Sequence, residues 1–180
     1  MDNEYVVLVS EKNEPLGTMP KLAAHNSDTP LHRAFSLFLF NTKGELLLQQ
    51  RSDKKKTWPG VWSNSCCGHL LLDETPLKAA KRRVAYELGF KDITMKMILP
   101  EYRYRFEKDG IVENEICPVI VGITQEQAKP RAEEVKAIEW ISWQEWLSEI
   151  TSNPTGYSPW CVEETQLINK SKAFHQFIRL

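Results

Sequence analysis

The stretch SNSCCGHL, residues 63–70, sets two adjacent cysteines beside a glycine and a histidine, a combination open to three chemistries: half of a disulfide, a metal site, or a nucleophile. Cys66, Cys67, Cys117 and Cys161 show no paired CxxC spacing, so no zinc framework follows from them. Three of the four histidines, His25, His32 and His69, fall before residue 70; taken singly, each is an ordinary surface or hydrogen-bonded residue. The triplet ENE adds Glu113 and Glu115, which an extended strand projects from one face. Such a pair is either a solvated sheet face or, because Ile111, Ile116, Val119 and Val121 make the segment apolar, a pair of acids compensated by a cation. Imidazoles and carboxylates together suit an approximately octahedral divalent ion such as Mn²⁺, Mg²⁺ or Zn²⁺.

The basic residues leave a similar choice. Lys21, Arg51, Lys55 and Lys56 can cradle a polyanion, although RSDKKK reads equally as a solvated turn. Arg83 and Glu87, four apart, are a surface ion pair in the simplest reading. Of the six tryptophans, Trp58, Trp62, Trp140, Trp143, Trp146 and Trp160, most belong in a core, and a minority can line a pocket and face a cation.

These residues must be carried by elements, and the pattern predicts a mixture. YVVLVS (5–10) reads as a strand followed by a turn, EKNEPLG. LHRAFSLFLF (31–40) and ELLLQQR (45–51) flank NTKG as a hairpin. Residues 52–74 show no clean period and read as a long functional loop. In TPLKAAKRRVAYELGF, Thr75 caps, Pro76 takes the first helical position, Gly89 ends the helix, and Leu77, Ala80, Val84 and Leu88 form its buried stripe. EYRYRF (101–106), the Asp109-Gly110 turn and residues 111–124 form a second hairpin. A further strand over 135–143 runs into helical WQEWLSEI, and two short helices close the chain.

With 180 residues, 42% hydrophobic and 26% charged, the chain is expected to form a single domain, residues 1–180. A net charge of -1 supplies no global field for nucleic acid or an anionic bilayer, so neither partner is expected and any anion site is local. MDNEYVVLVS is too short in its apolar run and wrongly flanked for a signal or membrane segment, which predicts a cytoplasmic protein with reduced thiols.

From Gly68 the chain reads GHLLLDETPLKAAKRRVAYELGF, which resembles the Nudix box, Gly-x5-Glu-x7-Arg-Glu-apolar-x-Glu-Glu-x-Gly-apolar. Gly68, Glu74, Arg82, Val84, Glu87, Gly89 and Phe90 fit it, while Arg83 and Tyr86 stand where the box has glutamates. A Nudix hydrolase uses those helix carboxylates to hold Mg²⁺ and activate water, and keeping Glu87 alone favours retaining a diphosphate over cleaving it. The type I isopentenyl-diphosphate delta-isomerases, in their bacterial form, share this departure. The chain resembles them at KLAAH, TPLHRAFS, KKTWPGVWSNSCCGH, RRVAYELG, YRYR, GIVENEICPV and YSPW.

The resemblance implies an α/β/α sandwich around a mixed sheet, with a Nudix-like core over about residues 31–164. It implies interconversion of isopentenyl and dimethylallyl diphosphate, a step of isoprenoid biosynthesis. Cys67, not Cys66, would be catalytic, with Glu115, Tyr104 and Trp160. His25, His32, His69, Glu113 and Glu115 would hold Mn²⁺, Zn²⁺ or Mg²⁺. Lys21, Arg51, Lys55 and Arg83 would bind the diphosphate, with Mg²⁺ bridging it to Glu87. The partner would be a small allylic or homoallylic diphosphate, the protein a monomer.

Overall fold

A computed structural model describes residues 4–178; Met1–Asn3, the start of the acidic leading segment, and residues 179–180 lie outside the described residues. In chain order the elements are β1 (Tyr5–Val9), β2 (Pro15–Pro20), α1 (Lys21–Ala24), β3 (His32–Asn41), β4 (Glu45–Arg51), β5 (Trp62–Ser63) and β6 (Cys66–His69). Then come α2 (Pro76–Leu88), β7 (Thr94–Leu99), β8 (Arg103–Lys108), β9 (Ile111–Ile116), β10 (Val119–Thr124) and β11 (Val135–Ser142). Helices α3 (Trp143–Ser152), α4 (Pro159–Asn169) and α5 (Lys172–Phe177) complete the order, with a 3₁₀ turn at Pro154–Gly156.

The ten-residue β3 is the spine. Its start pairs with β1 through Leu8↔His32 and runs parallel to β9 through His32↔Glu115. Further along, β10 lies parallel to it and β6 and β4 antiparallel, so the sheet is mixed. Because the strand's side chains alternate, Phe35, Leu37 and Leu39 pack under α2, while Ala34, Phe38 and Phe40 join the cluster holding Trp146, Ile150, Trp160 and Phe174 of α3 to α5. Helices thus cover both faces, as the sandwich requires.

Helix α2 begins and ends as expected: Thr75 accepts from the Lys78 amide, Pro76 occupies the first position, and Gly89 adopts φ 80°. Of its predicted buried stripe, Ala80, Val84 and Leu88 are buried and Leu77 is exposed. The Asp109-Gly110 turn has positive φ at both residues, joining β8 to β9.

Residues 111–124, read as one strand, are two. Pro118 has no amide hydrogen to continue a ladder, and the chain leaves β8 there to run beside β3. EKNEPLG is a turn only as far as Glu14; β2 then pairs along β1 as an edge strand, where its prolines are tolerated. The long loop at 52–74 contains the short strands β5 and β6, and β7 is a strand the pattern did not suggest. No helix among the described residues is long and apolar enough to cross a membrane.

Candidate active site

Strand register assembles the first cluster. His32 opens β3 opposite Glu115, His69 ends β6 opposite Ala34, Glu113 shares a face of β9 with Glu115, and His25 follows α1. The three imidazole centroids form a triangle with sides of 5.0 to 5.2 Å. One donor atom from each of the five residues lies within 4.8 Å of every other.

Hydrogen bonding fixes how these groups face each other. His25 Nδ1 lies 2.7 Å from the Lys21 carbonyl and His32 Nδ1 2.8 Å from the Pro30 carbonyl. A carbonyl only accepts, so each Nδ1 carries the hydrogen, and a ring in its neutral form turns a bare Nε2 lone pair inward. There His25 Nε2 meets Glu113 Oε2 at 3.0 Å, and His32 Nε2 meets Glu115 Oε1 at 3.4 Å. His32 Nε2 and Glu113 Oε2 are buried without a hydrogen bond. Lone pairs facing lone pairs in a buried site repel unless protons or a cation stand between them, so the donor set fits a divalent cation. Burial first, only partly offset by Glu115, lowers the His69 imidazole to about 4, keeping it a neutral ligand. Burial would raise Glu115, but the His32 and His69 imidazoles set against its Oε1 hold it well below the usual carboxylate range.

A cavity of about 420 Å³ opens beside this cluster. Cys67, Tyr104, Glu113, Glu115 and Trp160 line it, and so do Lys21, Arg51, Lys55 and Arg83. Tyr104 stands opposite Glu115 in the β8–β9 ladder and donates to its Oε2 at 2.6 Å. The Trp160 ring stacks on Tyr104, centroids 5.6 Å apart, while Arg51 lies 5.9 Å above it. His32 and Glu87 are buried behind the wall; Glu87 accepts a hydrogen bond from Arg83.

The residues expected to bind anion all line this cavity, but carboxylates unmarked in the sequence already answer Lys21, Lys55 and Arg83. Glu4 accepts from Lys21 at 2.6 Å and Arg83 at 2.9 Å, and Glu134 pairs with Lys55 and Arg83. Burial alone would raise Glu4, yet Lys21 and Arg83 hold it at about 2. Sequence reasoning also missed Ser36, Asn64 and Glu164 behind Cys67. Cys67 Sγ donates to Asn64 Oδ1 at 3.1 Å and lies 3.6 Å from Ser36 Oγ, which is 2.6 Å from Glu164 Oε2. Asn64 lay inside the quoted SNSCCGHL stretch; nothing in the sequence around Glu164 signals burial.

Fold and site together define a Nudix protein. The Nudix-domain family profile matches residues 30–161. The MutT protein of Methanosarcina mazei superposes with a TM-score of 0.61 over 78% of this chain and 96% of that one, a likeness of fold at 23% identity. Closer sequence relatives carry a narrower name: the isopentenyl-diphosphate Delta-isomerase of Corynebacterium diphtheriae is 45% identical over 92% of this chain and 93% of its own length. That of Klebsiella pneumoniae (strain 342) is 42% identical over 99% and 97%. The chain belongs to the isopentenyl-diphosphate Delta-isomerase family of Nudix proteins.

Proposed function

We propose that this isomerase moves a carbon–carbon double bond between isopentenyl and dimethylallyl diphosphate by placing the five-carbon tail between Cys67 and the Glu115–Tyr104 pair. The reaction adds a proton at one end of an alkene and removes another from the carbon beyond the cationic centre, so two proton-exchanging groups must flank the substrate. The single observation carrying this reading is that a thiol and a carboxylate hydrogen-bonded to a phenol line one cavity together with Lys21, Arg51, Lys55 and Arg83.

Burial pushes the Cys67 thiol up to about 12, against the neighbouring Ser36 hydroxyl, which can donate to the anion. As the thiol this sulfur gives its proton to the alkene carbon in one direction of the reversible reaction, and as the thiolate so formed it takes a proton back from carbon in the other. Glu115 and Tyr104 exchange the second proton on the other side, and the stacked faces of Trp160 and Tyr104 shield positive charge developing between the two steps. Arg51, Lys21, Lys55 and Arg83 hold the diphosphate, which takes the place of Glu4 on Lys21 and Arg83 and of Glu134 on Lys55 and Arg83, while Arg51 is held by the Thr57 and Trp58 carbonyls. His25, His32, His69, Glu113 and Glu115 would hold Mn²⁺ or Zn²⁺, and Glu87 would bind Mg²⁺ with the diphosphate; bound cations of this kind supply positive charge that acidifies neighbouring groups.

Hydrolysis is the competing chemistry for this fold. The box helix keeps Glu87 but carries Arg83 and Tyr86 where two more carboxylates would be needed. Incubation with isopentenyl diphosphate and Mg²⁺ is expected to yield the dimethylallyl isomer. Release of phosphate with no isomer would end this reading.

A further inference from the structure

The cavity-facing groups leave one buried acid unused. Glu164 lies on α4, fully buried, and among the described residues no basic group pairs with it; the charges it feels are the acids Glu115 and Glu163. Its Oε2 lies 2.6 Å from Ser36 Oγ, and its Oε1 has no hydrogen-bond partner. An ionised carboxylate so placed would be a buried charge with half its acceptors empty, whereas a neutral acid needs only one good bond. Burial drives this carboxyl well above its usual range, which agrees with the geometry.

The direction of the adjoining bonds follows from counting hydrogens. The Asn64 side-chain nitrogen faces the carbonyls of Leu37 at 3.1 Å and Cys66 at 3.4 Å, so it is the donor end, and its two hydrogens serve the nearer acceptors, Ser36 Oγ at 2.8 Å and the Leu37 carbonyl. Asn64 Oδ1 accepts from Ser63 Oγ at 2.8 Å and from Cys67 Sγ at 3.1 Å. A serine hydroxyl has one hydrogen and two acceptor sites. When Glu164 carries its proton and donates it to Ser36, both acceptor sites are filled, by Glu164 and Asn64. The hydroxyl hydrogen of Ser36 then has one remaining neighbour among the bonds described, Cys67 Sγ at 3.6 Å.

We propose that Ser36 and Glu164 are a positioning pair for the Cys67 sulfur: Glu164, as a neutral acid, anchors Ser36 Oγ so that the serine hydrogen points at the sulfur. This rests on the role assigned to Cys67 above. A thiol satisfies itself by donating to Asn64. Once the sulfur has given up its proton it needs a donor instead, and Ser36 is already aimed at it. An ionised Glu164 would take the serine hydrogen for itself and set a second negative charge behind the sulfur.

The test is a set of variants assayed with isopentenyl diphosphate and Mg²⁺, each checked by its melting curve. Ser36→Ala is expected to lower kcat about tenfold or more with KM unchanged, the scale of one hydrogen bond to a charged group. It should also slow alkylation of Cys67 by iodoacetamide in the substrate-free protein, followed by peptide mass spectrometry. Glu164→Leu, which packs without an unsatisfied polar atom, lowers kcat severalfold, and Glu164→Gln, whose amide can still donate to Ser36, recovers most of that loss. A Gln variant as slow as the Leu variant would assign the work to the carboxylate and overturn the proposal, as would a Ser36→Ala enzyme with parental kcat. Cys67→Ala run alongside separates the two layers. If Cys67→Ala is inactive while Ser36→Ala is unimpaired, only the positioning pair falls; if Cys67→Ala turns over normally, the role of Cys67 falls and the pair with it.

Discussion

Neighbouring residues on a strand face opposite sides of the sheet, and Cys66 and Cys67 divide accordingly. Cys66 pairs in register with Leu37 and packs into the cluster beneath α2; Cys67 pairs with Ser36 and faces the cavity. Burial first, then Glu87, drives the Cys66 thiol well above its ordinary range, so it is an inert packing residue. Cys66→Ala removes one sulfur from a packed site and is expected to cost about 1 kcal/mol of stability while retaining much of the turnover. Cys67→Ala should abolish isomer formation with little change in melting temperature. Both outcomes are read by the same product assay and melting curve, and an inactive Cys66→Ala protein that melts normally would reverse the assignment. The quoted motif made Cys67 legible because the resemblance covers it. Ser36 and Glu164 were not legible, since a serine on a strand and a glutamate on a helix look the same whether they face solvent or each other.

At the scale of elements, the site depends on how closely α2 approaches β6. A Cβ added at Gly68 would stand 3.1 Å from Arg83 Cγ and 3.2 Å from Phe35 Cε1. Phe35 is fully buried and has nowhere to go, so the arginine stem must yield. Gly68→Ala is therefore expected to displace the Arg83 guanidinium and weaken binding of inorganic pyrophosphate with Mg²⁺ about fivefold or more, measured by calorimetric titration. Overpacking of this kind costs about 1–3 kcal/mol of stability as well. Parental affinity in a destabilised variant would mean that Arg83 relaxes without moving its charge. Helix α2 was readable because Thr75, Pro76 and Gly89 mark its ends by local chemistry. Strands β5 and β6 were not, because residues that serve a site break the alternation by which a strand is recognised: Ser63 and Cys67 stand where a simple strand would carry core side chains. The edge strand β2 escaped for a different reason, since its exposed, proline-bounded sequence buries almost nothing.

For the whole molecule, the question is whether the ligand cluster holds the fold together or the fold holds the cluster. The five candidate ligands come from the end of α1 and from β3, β6 and β9, which resembles a structural metal site in its reach along the chain. Their positions, however, are already fixed by other means. His32, His69 and Glu115 sit in paired strands, and the Nδ1 atoms of His25 and His32 are held by backbone carbonyls. The two large clusters on either face of the sheet, around Phe38 and Trp146 on one side and Phe35 and Val84 on the other, contain none of the ligands. Chelation should thus remove activity and leave a cooperative unfolding transition. A cation present at about 100 times its dissociation constant adds about 2.7 kcal/mol to the folded state, which for a chain of this size corresponds to a loss of about 5–10 °C on its removal. Melting curves with and without chelator give the answer. Loss of the transition itself in the chelated protein would show that these buried histidines and glutamates cannot keep their places by packing and hydrogen bonds alone, and that the cation is part of the fold.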